Sequence, residues 1–486
     1  MSALADWPVV FALPALVILA GLTPRAARVL PQAAAALMLA QLLVVFNVCR
    51  PAFARAEGSV GDLGIGGLTA AFLIITTIVA AASFVQAAAL LPAERADAPE
   101  QGITDRRLCF FYTLAGSFLA AMYAVLLSHN LGFMWISMEA TTLLSAPLVY
   151  YHRTQRSLEA AWKYLLLCSV GIAFALFGTV LLVAAQHASG EGASLLFGRL
   201  IANGSALDPR LVRLGFVFCV LGYGAKAGLF PLHNWLPDAH SEAPAPASAM
   251  LSGGLLNCAL VAIWRVAQVT QAAGQGHLVR QILVPAGAIT VLAASLMLLR
   301  QSDLKRMWAY SSVEHVGLLA LAIGVGSTPV FILHALNHSL VKVALFLLSG
   351  SIIHVYGTKS LPKLRGLLNV APAWGIALFA GAFAIAGSPP FGTFLSEWLL
   401  LRDTFAAGEA VAGGAVILGL TVAFVAISIH ASRVLFGAAP PSVLRRPREA
   451  WVAAPAALLL AGLVTGLALT PPAMRFLTML ALGGQP

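Results

Sequence analysis

The sequence predicts an all-α polytopic membrane protein of about 14 transmembrane helices, built around two inverted five-helix repeats (spans 4–8 and 9–13) with one broken helix each, spans 7 and 12. Three observations carry this. Of 486 residues, 60% are hydrophobic and only 10% are charged, with a mean hydropathy of +0.88, whereas soluble domains carry about 25% charged residues. The apolar runs are long rather than alternating, which favours membrane helices over a barrel. Two runs, five spans apart, are interrupted by Gly and Pro beside an ionisable residue, a pairing that points to internal repeats around a transport site; an odd number of spans per unit inverts the second. The chain reads as a single integral membrane domain, 1–486, with its two five-helix units over 108–267 and 279–436.

The spans fall near 7–23, 29–49, 63–91, 108–127, 131–151, 160–186, 211–240 (broken), 244–267, 279–300, 307–325, 329–355, 371–404 (broken), 411–436 and 450–480. The net charge of +10 is expected in loops rather than at a nucleic-acid face, because cytoplasmic loops of membrane proteins collect Lys and Arg. With the N-terminus outside, the inner loops hold 17 such residues: Arg25, Arg28, Arg95, Arg106, Arg107, Arg153, Arg156, Arg300, Lys305, Arg306, Lys359, Lys363, Arg365, Arg433, Arg445, Arg446 and Arg448. The outer side holds nine, and Lys163, Lys226 and Lys342 fall inside spans. Both termini are therefore expected on the outer, periplasmic side of a bacterial-type inner membrane. The first apolar run continues past Pro14 and lacks a basic leader, so it reads as a span rather than a cleaved signal. Cys49, Cys109, Cys168, Cys219 and Cys258 sit in or near apolar helices without CxxC spacing and read as packing residues. Neither iron–sulfur spacing nor a GxGxxG turn nor a P-loop occurs. No cofactor is expected in this chain, and its energy source must lie elsewhere.

In chain order, spans 1–3 carry almost no buried charge and read as packing and lipid contact. In span 5, LGFMWISMEATTLLSAPLVYY, Glu139 lies eight residues in, roughly 12 Å along a helix. A carboxylate at that depth must be neutral, paired or hydrated. Lys163 opens span 6, where it can snorkel or pair with a neighbour such as Glu139. Span 7 places Lys226 in an apolar helix and then interrupts it at Gly228 and Pro231, ahead of His240-Ser241-Glu242. A broken helix leaves backbone groups that lipid cannot satisfy, so this segment must face protein or a wet cavity. In span 8, Asn257 is the only strongly polar residue near the middle, and an interhelical hydrogen bond would explain it. Glu314 and His315 lie within span 10. Span 11 spaces His334, His338 and Lys342 at i, i+4, i+8, one slowly drifting stripe. Two histidines and a lysine make a poor metal site, whereas imidazoles that donate and accept suit a proton wire. Span 12 breaks at Gly387-Ser388-Pro389-Pro390, and Glu397 follows about two turns later. Beyond about 405 the chain is apolar again, with His430 the buried exception. Burying Glu139, Lys226, Lys342 and Glu397 costs on the order of 10–14 kcal/mol on insertion scales, more than packing alone would justify.

Four segments, AKAGLFPLHNWLPDAHSEAP, SDLKRMWAYSSVEHVG, LNHSLVKVALFLLSGS and SPPFGTFLSEW, resemble the antiporter-like subunits of respiratory complex I, subunits L, M and N of bacterial NADH:quinone oxidoreductase. They are similar also to relatives in Mrp sodium/proton antiporters and group 4 nickel–iron hydrogenases, including formate hydrogenlyase. The resemblance covers roughly 105–405. It implies that Glu139 and Lys226 form the uptake pair of a proton path, that Lys163 matches the sixth-span lysine, that His338 and Lys342 match the eleventh-span pair, and that Glu397 is the terminal group, as in the M-type subunit. One position departs: the M-type subunit has a central lysine in span 8 where this chain has Asn257, so water or His334 must bridge from Lys226 to Lys342. The run PAPASAMLSGGLLNCALVAIWR looks closer to the hydrogenase-associated branch.

The expectation is a non-catalytic proton-channel subunit of a multisubunit redox-driven pump, conducting along Glu139, Lys163, Lys226, Asn257, His334, His338, Lys342 and Glu397. The resemblance implies as partners further membrane subunits of the same family and a peripheral redox arm with iron–sulfur proteins. Protons are the expected ion, with membrane lipid around the chain and no nucleic acid. The alternatives are an Mrp-type sodium/proton antiporter subunit and a non-conducting membrane anchor.

Overall fold

A computed structural model describes residues 7–53, 58–60, 63–97, 102–188, 192–439, 447–468 and 471–481. Arg55, Gly190, Arg445, Arg446 and positions 98–101 of the charged loop lie outside these residues. The chain is a helical bundle. Its helices are α1 (Ala12–Gly21), α2 (Leu30–Cys49), α3 (Gly67–Asp97), α4 (Asp105–Leu127), α5 (Leu131–Val149), α6 (Gln155–Ala188), the short α7 (Phe197–Ala202), α8 (Pro209–Ala227), α9 (Trp235–Glu242), α10 (Ala245–Met250), α11 (Leu256–Ala272), α12 (Gly276–Leu298), α13 (Leu304–Gly324), α14 (Thr328–Tyr356), α15 (Leu367–Val370), α16 (Pro372–Ile385), α17 (Gly392–Ala406), α18 (Ala410–Leu435), α19 (Ala453–Leu467) and α20 (Pro471–Ala481). One antiparallel pair of short strands, β1 (Gly58–Val60) and β2 (Leu63–Ile65), precedes α3.

Helix starts follow local capping chemistry. Thr104, Asn130, Asp208 and Asp303 accept from backbone N–H groups of the first turns of α4, α5, α8 and α13. Gly228, at φ 86°, ends α8, and Gly357, at φ 65°, ends α14, both in the left-handed region that glycine tolerates.

Nine helices among the described residues are long and apolar enough to cross a membrane, with shorter apolar helices over Trp7–Gly21 and Pro372–Ile385. The expected tally of about 14 is not reproduced by this criterion, because the broken spans divide into shorter pieces and some helices carry the polar residues. Span 7 becomes α8 and α9, and span 12 becomes α16 and α17. The last apolar stretch, 450–480, expected as one span, is two helices, α19 and α20; Pro471 and Pro472 fit at the start of the second.

The core is polar along its axis. The membrane-crossing windows of α14 and of α10–α11 are 94% buried, against 28% for α2, so the helix bearing His334, His338 and Lys342 is central and the N-terminal helices are peripheral. Close approach is set by glycines: a Cβ on Gly222 of α8 would collide with Ala175 and the Gly171 carbonyl of α6. That seam presses α8 onto α6 and delivers Lys226 to the polar face of α6.

Candidate functional site

In the first unit, Lys226 is fully buried at the last turn of α8. Its Nζ donates to Thr142 Oγ1 at 2.7 Å and to Tyr164 Oη at 2.8 Å. Thr142 in turn donates to Glu139 Oε2 at 3.4 Å, and Ser169 donates to Glu139 Oε1 at 2.7 Å. The expected Glu139–Lys226 pair is therefore joined through one threonine hydroxyl rather than by direct contact. Glu139 is only half-buried, on the flank of the bundle, while Lys226 is inside it. The break after α8 is satisfied by side chains: Trp235 Nε1 donates to Ala225 O at 2.8 Å, and Phe230 N to Thr290 Oγ1 at 3.1 Å.

Lys163 is not brought to this pair. Its side chain is 47% exposed and pairs with Glu159 at 2.5 Å and Asp238 at 3.3 Å, and Arg306 joins Asp238 at 2.8 Å. A flexible stem at the helix end lets the ammonium reach these two carboxylates instead of desolvating beside Glu139.

Asn257 joins two helices. Its amide donates to Gly253 O at 2.9 Å and Ser339 Oγ at 2.8 Å, which fastens α11 to α14 beside the π turn Leu251–Leu255. A π turn displaces the usual backbone ladder, and the Asn257 amide takes up the Gly253 carbonyl there. On the same turn, Ser252 and Ser312 hydroxyls meet at 2.9 Å. Ser312 Oγ and Lys342 Nζ both donate to Trp308 O, at 3.0 and 2.9 Å. His334, expected to span the interval beside Asn257, is directed the other way, toward α17.

The second unit assembles a histidine cluster. His315 Nε2 lies 3.1 Å from Ile385 O at the end of α16. That carbonyl can only accept, so Nε2 carries the proton, and in the neutral ring Nδ1 accepts from His334 Nε2 at 3.0 Å. His334 Nδ1 meets Ser396 Oγ at 2.9 Å. His338 stands with its ring 5.4 Å from that of His315, and both its nitrogens lack a hydrogen-bond partner among the described residues. The second break is thus satisfied by His315 and by Thr393, whose hydroxyl donates to Ala384 O.

Glu397 is buried beside the break, where a Cβ on Gly387 (φ 69°) would collide with its carboxylate. It borders a 280 Å³ lateral cavity with Gly387, Trp398 and Thr421. Glu314 of α13 is buried too, and its Oε2 has no hydrogen-bond partner among the described residues. Sequence reading noted Glu314 and His315 without assigning them a role, and passed over Thr142, Tyr164, Ser252, Ser312 and Ser396. Glu314, a carboxylate well inside a membrane-length helix beside His315, was the available signal; the hydroxyls gave none. Among the described residues no group of three or more His, Cys, Asp or Glu is placed to hold a metal ion.

The sequence profile described as "NADH:quinone oxidoreductase/Mrp antiporter, TM" matches residues 128–423. The chain is 42% identical over 335 residues to a hydrogenase-4 component F homolog from Methylacidiphilum infernorum, covering 68% of this chain and 70% of that one. It is 32% identical over 315 residues to NADH-quinone oxidoreductase subunit N from Desulforudis audaxviator, covering 64% and 62%. The fold superposes on a chain of the membrane-bound sulfane sulfur reductase, an archaeal respiratory membrane complex, with a TM-score of 0.83 at 23% identity, over 98% of this chain and 97% of that one.

Proposed function

The chain belongs to the NADH:quinone oxidoreductase/Mrp antiporter family of membrane subunits, and on that premise we propose that its buried polar row conducts protons through the assembled complex. The observation that carries this reading is the succession of groups able to give and take protons across the bundle. Glu139, Thr142, Lys226 and Tyr164 stand at one end; Ser252, Ser312, Lys342, Glu314, the three histidines and Glu397 stand at the other. On this reading a proton needs water to cross from Lys226 to Ser252, because Asn257 offers no titratable group. A charge arriving at one end shifts the proton affinity of the next group, since Coulomb coupling in a low-dielectric interior is strong. Asn257 and Lys163 serve packing and surface pairing, not transfer.

The partners we propose are further membrane subunits and an electron-carrying peripheral arm with iron–sulfur proteins, the arrangement that the family resemblance implies; relatives named as a hydrogenase-4 component and an NADH-quinone oxidoreductase subunit are in keeping with it. The loops rich in Lys and Arg face the cytoplasm, with both termini outside. The two five-helix units are inverted repeats, which accounts for a helix break in each. The Mrp-type reading keeps the same row but exchanges sodium for protons; the family description itself favours keeping it. Glu397→Gln tests the proposal. It retains size and hydrogen bonding but cannot ionise, so inverted vesicles should lose proton transport while the partner's redox turnover continues. An unchanged proton-to-electron ratio would remove Glu397 from the path.

A further inference from the structure

A cavity of about 660 Å³ opens at the end of the bundle where the Lys- and Arg-rich loops lie, a volume typical of small-molecule pockets. Four cations and two carboxylates line it. Lys359 is matched twice, its Nζ meeting Glu242 Oε1 at 2.6 Å and Asp303 Oδ2 at 3.4 Å. The rest of the lining sets Arg107, Arg153 and Lys305 against the single carboxylate Glu94. His152, in the loop after α5, reports the same excess: burial and the Lys305, Arg107 and Lys359 cations push it down to about 3.

Three features set these cations apart from a solvated basic face. Lys305 is 4% exposed, and no carboxylate among the described residues lies within ion-pair distance of it. Its Nζ donates to Ser241 O at 3.3 Å and to Ala243 O. An ammonium carries three N–H groups, so one is left over, and a buried cation without an anion beside it is costly. Arg107 and Lys305 also lie in the first turns of α4 and α13, the positive ends of those helices, which disfavour cations and attract anions. Arg153, at φ 55°, is the one non-glycine residue with a positive φ among the described residues, and backbone strain of this kind gathers at sites that hold ligands. The bias of Lys and Arg toward inner loops explains cations near this end, but neither the burial of Lys305 nor the backbone of Arg153. We propose that this cavity binds a phosphate group, held by Lys305, Arg153 and Arg107. Guanidinium groups meet phosphate oxygens in pairs, and an ammonium adds a point charge. The phosphate supplies the negative charge that Lys305 lacks. Through Lys305 it steadies the Ser241 and Ala243 carbonyls at the end of α9, in the first broken span. A lipid headgroup and a soluble phosphate present the same chemistry, and the site does not depend on the conducting role proposed above.

The test uses the purified assembled complex, stripped of lipid in detergent and kept in chloride buffer. Inorganic phosphate is titrated and followed by phosphorus NMR line broadening; short-chain phosphatidylglycerol is titrated in parallel and followed by native mass spectrometry. Saturable binding of at least one probe is expected. Lys305→Met keeps an unbranched side chain without the charge and should weaken that binding by roughly tenfold or more, the scale of one charge-assisted hydrogen bond. Arg153→Gly removes a guanidinium while relieving the backbone, so the complex should assemble and bind more weakly by a similar factor. It decides alone if Lys305→Met does not assemble. Inorganic phosphate binding that the substitutions weaken supports the site with a soluble source. Lipid binding alone, weakened in the same way, supports it with a membrane source. No saturable binding of either probe, or wild-type affinity in an assembled variant, overturns it.

Discussion

Thr142→Val removes the one hydroxyl that joins Glu139 to Lys226 while keeping the β-branched shape. In the folded bundle Lys226 Nζ has two hydrogen-bond acceptors, Thr142 at 2.7 Å and Tyr164 at 2.8 Å. Valine deletes the first and cuts the route from Lys226 to the carboxylate, since Thr142 also donates to Glu139. A hydrogen bond to a charged group contributes about 1.5–3 kcal/mol, and each ~1.4 kcal/mol is a factor of ten in rate. Transfer between Glu139 and Lys226 should therefore slow by about ten- to a hundredfold. Helix packing around position 142 should change little, because the volume is nearly conserved. Initial rates of proton transport in inverted vesicles, normalised to redox turnover, provide the assay. Thr142→Ser retains the hydroxyl and should stay close to the wild-type rate. Wild-type transport in Thr142→Val, in vesicles where Lys226→Ala is inactive, would show that the lysine and the glutamate do not communicate through this hydroxyl.

Three further outcomes follow from the same geometry. Lys163→Gln should leave proton transport unchanged, because Lys163 serves an exposed ion cluster with Glu159 and Asp238; a loss comparable to that of Glu397→Gln would return it to the row. Gly387→Ala should lower thermal stability of the purified complex, since a residue with a Cβ in the left-handed region costs roughly 1–2 kcal/mol and this Cβ also meets the Glu397 carboxylate; unfolding followed by intrinsic fluorescence would measure it. Asn257→Ala should reduce stability by about 1–3 kcal/mol, the cost of losing the amide's hydrogen bonds to Gly253 O and Ser339 Oγ, yet leave the proton-to-electron ratio intact. A collapsed ratio with unchanged stability would make Asn257 a relay.

Much of this was legible in the residues. Gly228 and Gly387 with their nearby prolines announced both breaks, because glycine followed closely by proline both loosens the backbone and removes a helix hydrogen bond. The buried charges stood out against an apolar background, since each is costly in lipid and must have a reason. The stripe His334, His338, Lys342 followed from helical spacing alone, and α14 is indeed central. What the spacing could not give was direction. His334 turns toward Ser396 rather than Asn257 because His315, from a different helix, stands between it and the Ile385 carbonyl. Lys163 was placed by sequence near a helix end, able to snorkel or to pair with Glu139, but Asp238 on α9, which it meets, could not be read from spacing. The hydroxyl links, Thr142, Ser252 and Ser312, are ordinary helix residues in sequence, and they become connectors only when two helices meet.

The central claim is that the buried row carries the protons, and Lys342 lies within it, fully buried on the central helix with Nζ held by Trp308 O at 2.9 Å. The direct measurement is the proton-to-electron ratio of vesicles bearing the assembled complex with Lys342→Met, which keeps an unbranched side chain but cannot hold a proton. The account predicts a ratio reduced by this chain's full share of proton transport while redox turnover persists. A wild-type ratio in that variant would contradict it.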